Sequence, residues 1–268
     1  MPTPPRRWNP ALLLFACCTV VGAAEATVDP PSKTPGPAVE MSASPPSGTG
    51  RRGPTSAATP QALAGKALER HGTLVAKAKA GGHGMVLIGD SITDWWPGRG
   101  KSSWAKLAPY RPLDLGWAGQ HTEHVLWRLQ NGELDGVDPR LVMILIGTNN
   151  LGHVRDEQPA WVAGGVAAIL GEVRQRLPKA HILLMGIFPR GKPGDSIRER
   201  ITATNAELRR LADRPDITFL DLGPRFLAED GSIPKDLMGD GLHPGSKGYE
   251  IWFDGIKPTL DRVFAATP

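Results

Sequence analysis

Short apolar runs alternate with segments of helical periodicity along most of this 268-residue chain. Five runs have the length of buried strands, at 85–88, 113–115, 141–146, 182–187 and 217–220. Between and around them, apolar residues recur at helical spacing over 61–80, 122–130, 162–177, 197–211 and 247–264. This alternation predicts a parallel sheet with right-handed crossovers and helices on both faces. We therefore predict an α/β fold, a three-layer α/β/α sandwich with a five-stranded parallel sheet.

Residues 1–26 are typical of a secretory signal peptide. A basic start at 6–7 precedes an apolar run over 11–21, and small residues follow up to Ala26. The run is too short to cross about 30 Å of hydrocarbon, so cleavage is favoured over a membrane anchor. Lipid anchoring through Cys17 is the less favoured alternative. The sequence thus predicts a secreted or periplasmic protein.

Residues 27–60 have the composition of a disordered linker. They contain eight Pro, four Gly and ten Ser or Thr, with almost no large apolar side chains. The folded domain is therefore predicted over residues 61–268. Both cysteines precede residue 27, so the mature chain has no thiol for a disulfide, a nucleophile or a metal site.

The charge of the chain gives little support for a macromolecular partner. The formal net charge is +4, and basic residues are interspersed with acidic ones. A nucleic-acid partner would favour a concentrated basic face, so we expect none. The partner expected instead is a small molecule, a carbohydrate or a lipid, with no stable insertion into a membrane. The oligomeric state cannot be predicted from the sequence.

Chemistry-bearing residues follow three of the predicted strands. Ser91 comes after the first run, Gly119 after the second and Asn149 after the third. Asp240 and His243 stand together in the loop before the last helix. In open parallel sheets, ligands bind at the carboxyl ends of the strands, so we expect these residues to meet there.

The four blocks resemble the SGNH (GDSL-type) hydrolase family, which contributes Ser, Gly, Asn and His in this order. The resemblance implies a flavodoxin-like fold. It covers nearly all of residues 84–260 and is greatest to the alpha subunits of platelet-activating-factor acetylhydrolase, as in segments 124–134 and 188–191. One departure is Ala-Gly-Gln at 118–120, where those subunits usually read Gly-Gly-Asp, so the pocket wall differs. The predicted signal peptide is a second departure, because those subunits are intracellular.

The chemistry of the same residues agrees with the resemblance. A serine hydroxyl needs a neighbouring base, and His243 can remove the proton of Ser91 while Asp240 orients the imidazole. The N–H groups of Ser91 and Gly119 and the amide of Asn149 can stabilise an oxyanion. Because a carboxylate favours the imidazolium, we expect the pKa of His243 to be raised.

The predicted activity is hydrolysis of carboxylic esters through an acyl-serine intermediate, without a cofactor or metal ion. Ile92, Thr148 and Leu242 flank the catalytic groups and are predicted to close a small acyl pocket, which favours acetyl or other short acyl groups. A lysophospholipase or thioesterase is the alternative within this class. A non-catalytic binding module on the same fold is the competing class.

Several further residues leave two interpretations open. Asp90 could brace the nucleophile turn or only cap it. Trp95 and Trp96 are expected to pack in the core, with contact to substrate as the alternative. Arg190, at the end of the fourth strand, could touch substrate or form a structural ion pair.

His121, Glu123 and His124 could suggest a metal cluster. Catalytic zinc needs three protein ligands, and no convincing third ligand stands near the two histidines in the sequence. We therefore expect these residues to be a solvated helix start.

Overall fold

The computed structural model describes residues 53–265. Five parallel strands form one sheet: β1 (Met85–Gly89), β2 (Pro112–Gly116), β3 (Leu141–Leu145), β4 (His181–Met185) and β5 (Ile217–Leu220). Their order across the sheet is β2-β1-β3-β4-β5. The predicted five-stranded parallel α/β fold is confirmed, and each predicted run falls on a strand.

Helices connect the strands. Along the chain they are α1 (Lys66–Lys79), α2 (Ser91–Asp94), α3 (Trp96–Arg99), α4 (Lys101–Ala105), α5 (Thr122–Arg128), α6 (Thr148–His153), α7 (Pro159–Arg176), α8 (Ser196–Leu211) and α9 (Ser246–Ala265). A π-helical turn at Leu129–Glu133 follows α5, and short 3-10 turns lie at Ser56–Ala58, Ala108–Tyr110 and Gly223–Phe226. None of the helices within residues 53–265 is long and apolar enough to span a membrane.

Apolar side chains on the two faces of the sheet form two separate cores. Val86 and Ile88 of β1 point to one face and pack with α1, α5, α7 and α8. Met85 and Leu87 point to the other face and pack with α2, α3 and α9. Successive residues of a strand face opposite sides, so strands buried on both faces are apolar throughout. This is why the strand sequences are continuous apolar runs.

Ordered structure begins before residue 61, within the predicted linker. Residues 53–60 belong to the predicted linker, yet Ser56–Ala58 is helical and Ala57 is fully buried. The Ala57 carbonyl accepts a hydrogen bond of 2.8 Å from the Thr122 hydroxyl. The boundary at residue 61 is wrong in this respect, because small residues in a polar stretch still fill a space between α5 and α7. The predicted signal peptide and residues 27–52 lie outside the described residues.

The strand order places a switch point between β1 and β3. From β1 the chain moves outward to β2 and then returns across β1 to β3. Connections leave the two neighbouring strands in opposite directions, which opens a crevice at their carboxyl ends. Ser91 follows β1 and Asn149 follows β3, so both lie at this crevice.

Candidate active site

The turn after β1 presents Ser91 at the start of a helix. Gly89 ends β1, and a Cβ at this position would lie 2.1 Å from the Thr93 hydroxyl and 2.7 Å from the Leu145 carbonyl oxygen. Only glycine therefore allows α2 to fold back so closely on the sheet. Asp90 caps α2 by accepting a hydrogen bond of 3.0 Å from the Ile92 N–H. Of the two roles left open for Asp90, capping of the turn is the one that its hydrogen bond fits.

Asp90 is buried almost completely in this turn. Burial raises its pKa to about 7, although the hydrogen bond from Ile92 opposes the change. Its second oxygen, Oδ2, has no hydrogen-bond partner among the described residues.

Ser91, His243 and Asp240 form one hydrogen-bonded chain. The Ser91 hydroxyl lies 2.9 Å from Nε2 of His243, and Nδ1 of His243 lies 2.7 Å from Oδ2 of Asp240. Because ionised Asp240 can only accept, Nδ1 carries the proton and the serine hydroxyl donates to Nε2. The structure thus brings together the three residues that the sequence predicts to be catalytic.

Asp240 is held by the backbone of its own loop. Its Oδ1 accepts hydrogen bonds from the N–H groups of Leu242 and His243, at 3.0 and 2.8 Å. Partial burial would raise the pKa of Asp240, but the hydrogen bonds from His243 and Leu242 outweigh it and hold the pKa at about 2. Asp240 is therefore ionised across the ordinary pH range, even though its side chain is 49% exposed.

The pKa of His243 is lowered, contrary to the sequence-based expectation. Burial disfavours the imidazolium and is the largest cause, and the charges of Arg99 and Arg190 act in the same direction. The hydrogen bond to Asp240 raises the pKa but does not compensate. The expectation was wrong because the sequence identifies the carboxylate partner but does not reveal burial or nearby cations.

Gly119 lies in the loop after β2, and Asn149 lies in the first turn of α6, after β3. Gly119 has a φ of +78°, a conformation that side-chain-bearing residues rarely adopt. Nδ2 of Asn149 donates a hydrogen bond of 3.0 Å to the Gln120 carbonyl. A carboxamide has two N–H donors, so this bond fixes the side chain while leaving the second donor for another acceptor. The start of α6 is thereby joined to the loop of Gly119.

A contact that was not predicted from the sequence holds the Gly119 loop from the other side. Oδ2 of Asp94 accepts a hydrogen bond of 3.0 Å from the Ala118 N–H, and Oδ1 pairs with Arg70 at 2.7 Å. Asp94 ends α2, so the helix that carries Ser91 also fixes the backbone next to Gly119. Asp94 follows Ser91 within one helical turn, and this spacing was the sequence signal that could have revealed the contact.

The sequence of this chain is similar to those of known proteins. A sequence profile described as the GDSL-like lipase/acylhydrolase family matches residues 87–251. The human platelet-activating factor acetylhydrolase IB subunit alpha1 is 36% identical over 203 residues, which cover 75% of this chain and 85% of the human protein. This chain belongs to the GDSL-like lipase/acylhydrolase family.

Solved structures of other proteins share the fold of this GDSL-family chain. A GDSL-like lipase from Bacteroides thetaiotaomicron superposes with a TM-score of 0.60 at 21% identity, covering 72% of this chain and 97% of the other. An acetylxylan esterase, Axe2, from Geobacillus stearothermophilus gives a TM-score of 0.54 at 19% identity, covering 68% and 94%. At these identities the likeness shows the common fold alone.

The three residues predicted to line an acyl pocket in this GDSL-family chain differ in their exposure to solvent. Ile92 and Thr148 are only 1% and 2% exposed, whereas Leu242 is partly exposed. Ile92 packs in the core that contains α9, and its carbonyl accepts a hydrogen bond of 2.7 Å from the Tyr249 hydroxyl. Successive helical side chains point about 100° apart, so the residue after Ser91 turns toward the sheet. Ile92 therefore lies in the core next to Ser91, and the acyl pocket stays a prediction.

The two adjacent tryptophans have different surroundings. Trp96 is fully buried and stacks on Trp252 with ring centres 4.2 Å apart, as the packing interpretation predicts. Trp95 is partly exposed and lies on the imidazole of His243 at 4.3 Å. On the same indole, the Arg99 guanidinium lies 4.2 Å from the ring centre. Trp95 thus contacts a residue of the hydrogen-bonded chain.

The predicted solvated helix start at His121 is wrong. The start of α5 is covered by neighbouring elements, which bury the side chains of His121, Glu123 and His124. Nδ1 of His121 lies 3.2 Å from Oε1 of Glu123, and its Nε2 lies 3.2 Å from Nδ1 of His153. Within residues 53–265, no group of three or more His, Cys, Asp or Glu side chains is arranged to hold a metal ion.

Arg190 lies beside the candidate site without a carboxylate partner. Its Nη1 donates to the Thr148 carbonyl at 3.2 Å, and no described acidic side chain forms an ion pair with it. Of the two interpretations offered for this arginine, the structural ion pair is not found in the described part of the chain.

Proposed function

We propose that this protein is a serine esterase that removes short acyl groups, with Ser91 as the nucleophile. The observation that carries the proposal is the continuous hydrogen-bonded chain from Ser91 through His243 to Asp240. A hydroxyl that donates to an imidazole, which in turn donates to a fixed carboxylate, is the arrangement that activates serine for acyl transfer.

The reaction needs only groups of the protein and water. Ser91 Oγ attacks the ester carbonyl carbon while its proton moves to Nε2 of His243. The carbonyl oxygen becomes an oxyanion, stabilised by N–H groups of Ser91 and Gly119 and by Asn149 Nδ2. Collapse breaks the bond to the alcohol, which takes the proton from His243. Water, deprotonated by His243, then attacks the acyl-serine. The bond between the acyl carbon and Ser91 Oγ breaks, Oγ takes the proton back from His243, and the carboxylic acid leaves.

The burial of the residues beside Ser91 favours a short acyl group as substrate. Ile92 and Thr148 are nearly inaccessible to solvent, so they leave little room for a long chain beside the nucleophile. The curated relatives named platelet-activating factor acetylhydrolase IB also support an acetyl ester as substrate. A lysophospholipase or thioesterase is the alternative within this reaction class, and it would require a channel that opens next to Ser91.

The alcohol part of the substrate follows from the predicted export of the protein. Outside the cytoplasm, an O-acetylated carbohydrate is favoured over a phospholipid-like ester. This choice depends on the signal peptide predicted over residues 1–26.

Phosphonate labelling tests the catalytic role of Ser91. A fluorophosphonate ester should add one covalent label to the purified protein, and mass spectrometry of peptides should place it on Ser91. The Ser91→Ala variant, folded as judged by circular dichroism, should take up no label. A non-catalytic binding module would remain unlabelled in both forms.

A substrate panel then defines the ester. 4-Nitrophenyl esters from acetate to palmitate should show the highest kcat/KM at acetate, with a steep decline beyond butyrate. Acetylated xylan and a phospholipid are assayed beside them. A maximum at long chains would support the lysophospholipase alternative.

A further inference from the structure

A cleft of about 470 Å³ opens beside the loop that carries Asp240. It lies between the end of α6, the segment that follows β4, the start of α8, and the loop that carries Asp240 and His243. This last loop is called the catalytic loop below. Its lining consists of Gly152, Arg190, Gly191, Ile197, Arg200, Asp240, Gly241 and Leu242. Two guanidinium groups, those of Arg190 and Arg200, thus face one space next to the catalytic carboxylate.

The position of Arg190 is fixed by its neighbours. Its Nη1 donates a hydrogen bond to the Thr148 carbonyl, and a Cβ at Gly152 would lie only 2.2 Å from this nitrogen. The glycine therefore leaves room for the guanidinium. Next to it, the Gly191 N–H donates to the Gly241 carbonyl at 3.2 Å. These contacts hold Arg190 against both α6 and the loop of Asp240.

Neither guanidinium of the cleft is neutralised by a carboxylate within residues 53–265. Arg200 makes one hydrogen bond, from Nη1 to the Arg155 carbonyl at 3.4 Å. By contrast, Arg174 pairs with Asp216 at 2.6 Å. Burial lowers the pKa of Arg190, which shows that its charge is partly desolvated, but a guanidinium stays protonated in proteins. A partly buried charge without a counter-ion is unfavourable, so an incoming anion would stabilise it.

The acidic groups near the cleft do not cancel this charge. Asp240 already accepts hydrogen bonds from the Leu242 and His243 backbones and from the His243 ring, and Arg99 lies 3.9 Å from its Oδ2. Asp90 is the other acid close enough to influence Arg190, and it is buried in the nucleophile turn. The two acids that act on Arg190 are therefore already engaged or buried elsewhere.

We propose that Arg190 and Arg200 bind an anionic group of the substrate, a carboxylate or a phosphate, in this cleft. The inference rests on the proposed esterase function and narrows its substrate class. The planar guanidinium presents paired N–H donors whose geometry matches these oxyanions. The cleft adjoins Leu242 and Asp240, and Asp240 is part of the proposed catalytic chain. An anion bound in the cleft therefore belongs to the ester that is being cleaved. It lies on either the acyl or the alcohol part.

Matched pairs of small esters test the preference. For the alcohol part, 4-acetoxybenzoate is compared with neutral 4-acetoxybenzamide, and 4-acetoxyphenyl phosphate distinguishes phosphate from carboxylate. For the acyl part, mono-4-nitrophenyl adipate is compared with its methyl ester. We expect kcat/KM of the anionic member to exceed that of the neutral member at least about tenfold in one pair, which corresponds to about 1.4 kcal/mol.

Variants assign the preference to the cleft. Arg200→Gln should lower the anionic-to-neutral ratio several-fold, and Arg190→Lys should lower it less than Arg190→Gln. The matched control is Arg210→Gln, which removes the same charge from α8 at an exposed residue paired with Glu207. It should leave the ratio unchanged. Ratios near one in every pair, or a preference that persists in Arg190→Gln and Arg200→Gln, would overturn the proposal.

A binding measurement separates this inference from the proposed function. Inorganic phosphate and glutarate are titrated into Ser91→Ala, and the rise in Tm is compared with that of the double variant Ser91→Ala/Arg200→Gln. A larger rise in Tm for Ser91→Ala than for the double variant supports anion binding in the cleft, even if none of the esters is hydrolysed. Equal rises in both proteins would contradict anion binding in the cleft. If the wild type did not hydrolyse 4-nitrophenyl acetate, only the proposed esterase function would be contradicted.

Discussion

The indole of Trp95 lies on the imidazole of His243, with the ring centres 4.3 Å apart and the planes inclined by 44°. The hydrogen-bonded neighbours of the imidazole are Ser91 and Asp240, which hold its two nitrogens. Asp240 stands on an exposed loop, so the ring contact with Trp95 adds a restraint on the orientation of the imidazole. Trp95 is therefore a positioning residue for the proposed base.

We predict that Trp95→Leu lowers kcat between about tenfold and a hundredfold with little change in KM, because a tilted imidazole aligns poorly with Ser91. Trp95→Phe keeps an aromatic face and should retain most of the activity. Steady-state kinetics on 4-nitrophenyl acetate measure both constants. A change confined to KM would indicate that Trp95 contacts substrate instead.

The pH dependence follows from the lowered pKa of His243. The imidazole accepts the Ser91 proton only when neutral, so kcat/KM rises as pH increases through this pKa. Because burial and two cations lower the pKa from 6.5, we expect the midpoint of the rise below pH 6.5. Arg99→Gln removes one of these cations and should move the midpoint to higher pH. A midpoint that is above 6.5 in the wild type would refute this account.

Asp240→Asn should change both the rate and the profile. The carboxylate raises the pKa of His243, so its removal should move the midpoint to still lower pH. The imidazole also loses the acceptor that fixes its tautomer, which should reduce kcat by about 10⁴. Rate and midpoint are read from the same pH series. If both were retained, another acceptor would have to orient His243.

Asn149→Ala should reduce kcat by about 10²–10³, because one donor to the oxyanion is lost in the transition state. The same substitution removes the hydrogen bond to Gln120, so thermal unfolding is followed in parallel. A loss of activity at unchanged Tm assigns the effect to the transition state. An Asn149→Ala variant with full kcat would exclude this side chain from the oxyanion hole.

Truncation tests where the folded domain begins. Removal of residues 27–52 should leave Tm and turnover essentially unchanged, since this polar segment has few side chains able to join a core. Removal of residues 27–60 should lower Tm by several degrees, because Ala57 is buried and the Thr122 hydroxyl loses its acceptor. Calorimetry of the two truncated proteins compares them directly. Equal Tm values would show that Ser56–Ala58 contributes nothing.

The sequence alone determined the architecture and the identity of the candidate chemical groups. Strands buried on both faces must be apolar along their whole length, so Leu141–Leu145 and its counterparts are visible as continuous runs. Parallel strands end at one edge of the sheet, and this makes the position of Ser91 and Asn149 at the same crevice predictable from the sequence. The spacing of Asp240 and His243 on one loop also indicates their contact.

Tertiary structure decided the features that depend on distance and desolvation. The pKa of His243 is lowered because burial outweighs a carboxylate whose presence the sequence reveals. Ile92 turns into the core because a helix begins at Ser91. Arg190, Arg200 and Asp240 line one cleft because α6, α8 and the loop of Asp240, which are far apart in the chain, meet there. Local pattern specifies which groups a chain contains, but their burial and charge environment arise only where distant segments pack together.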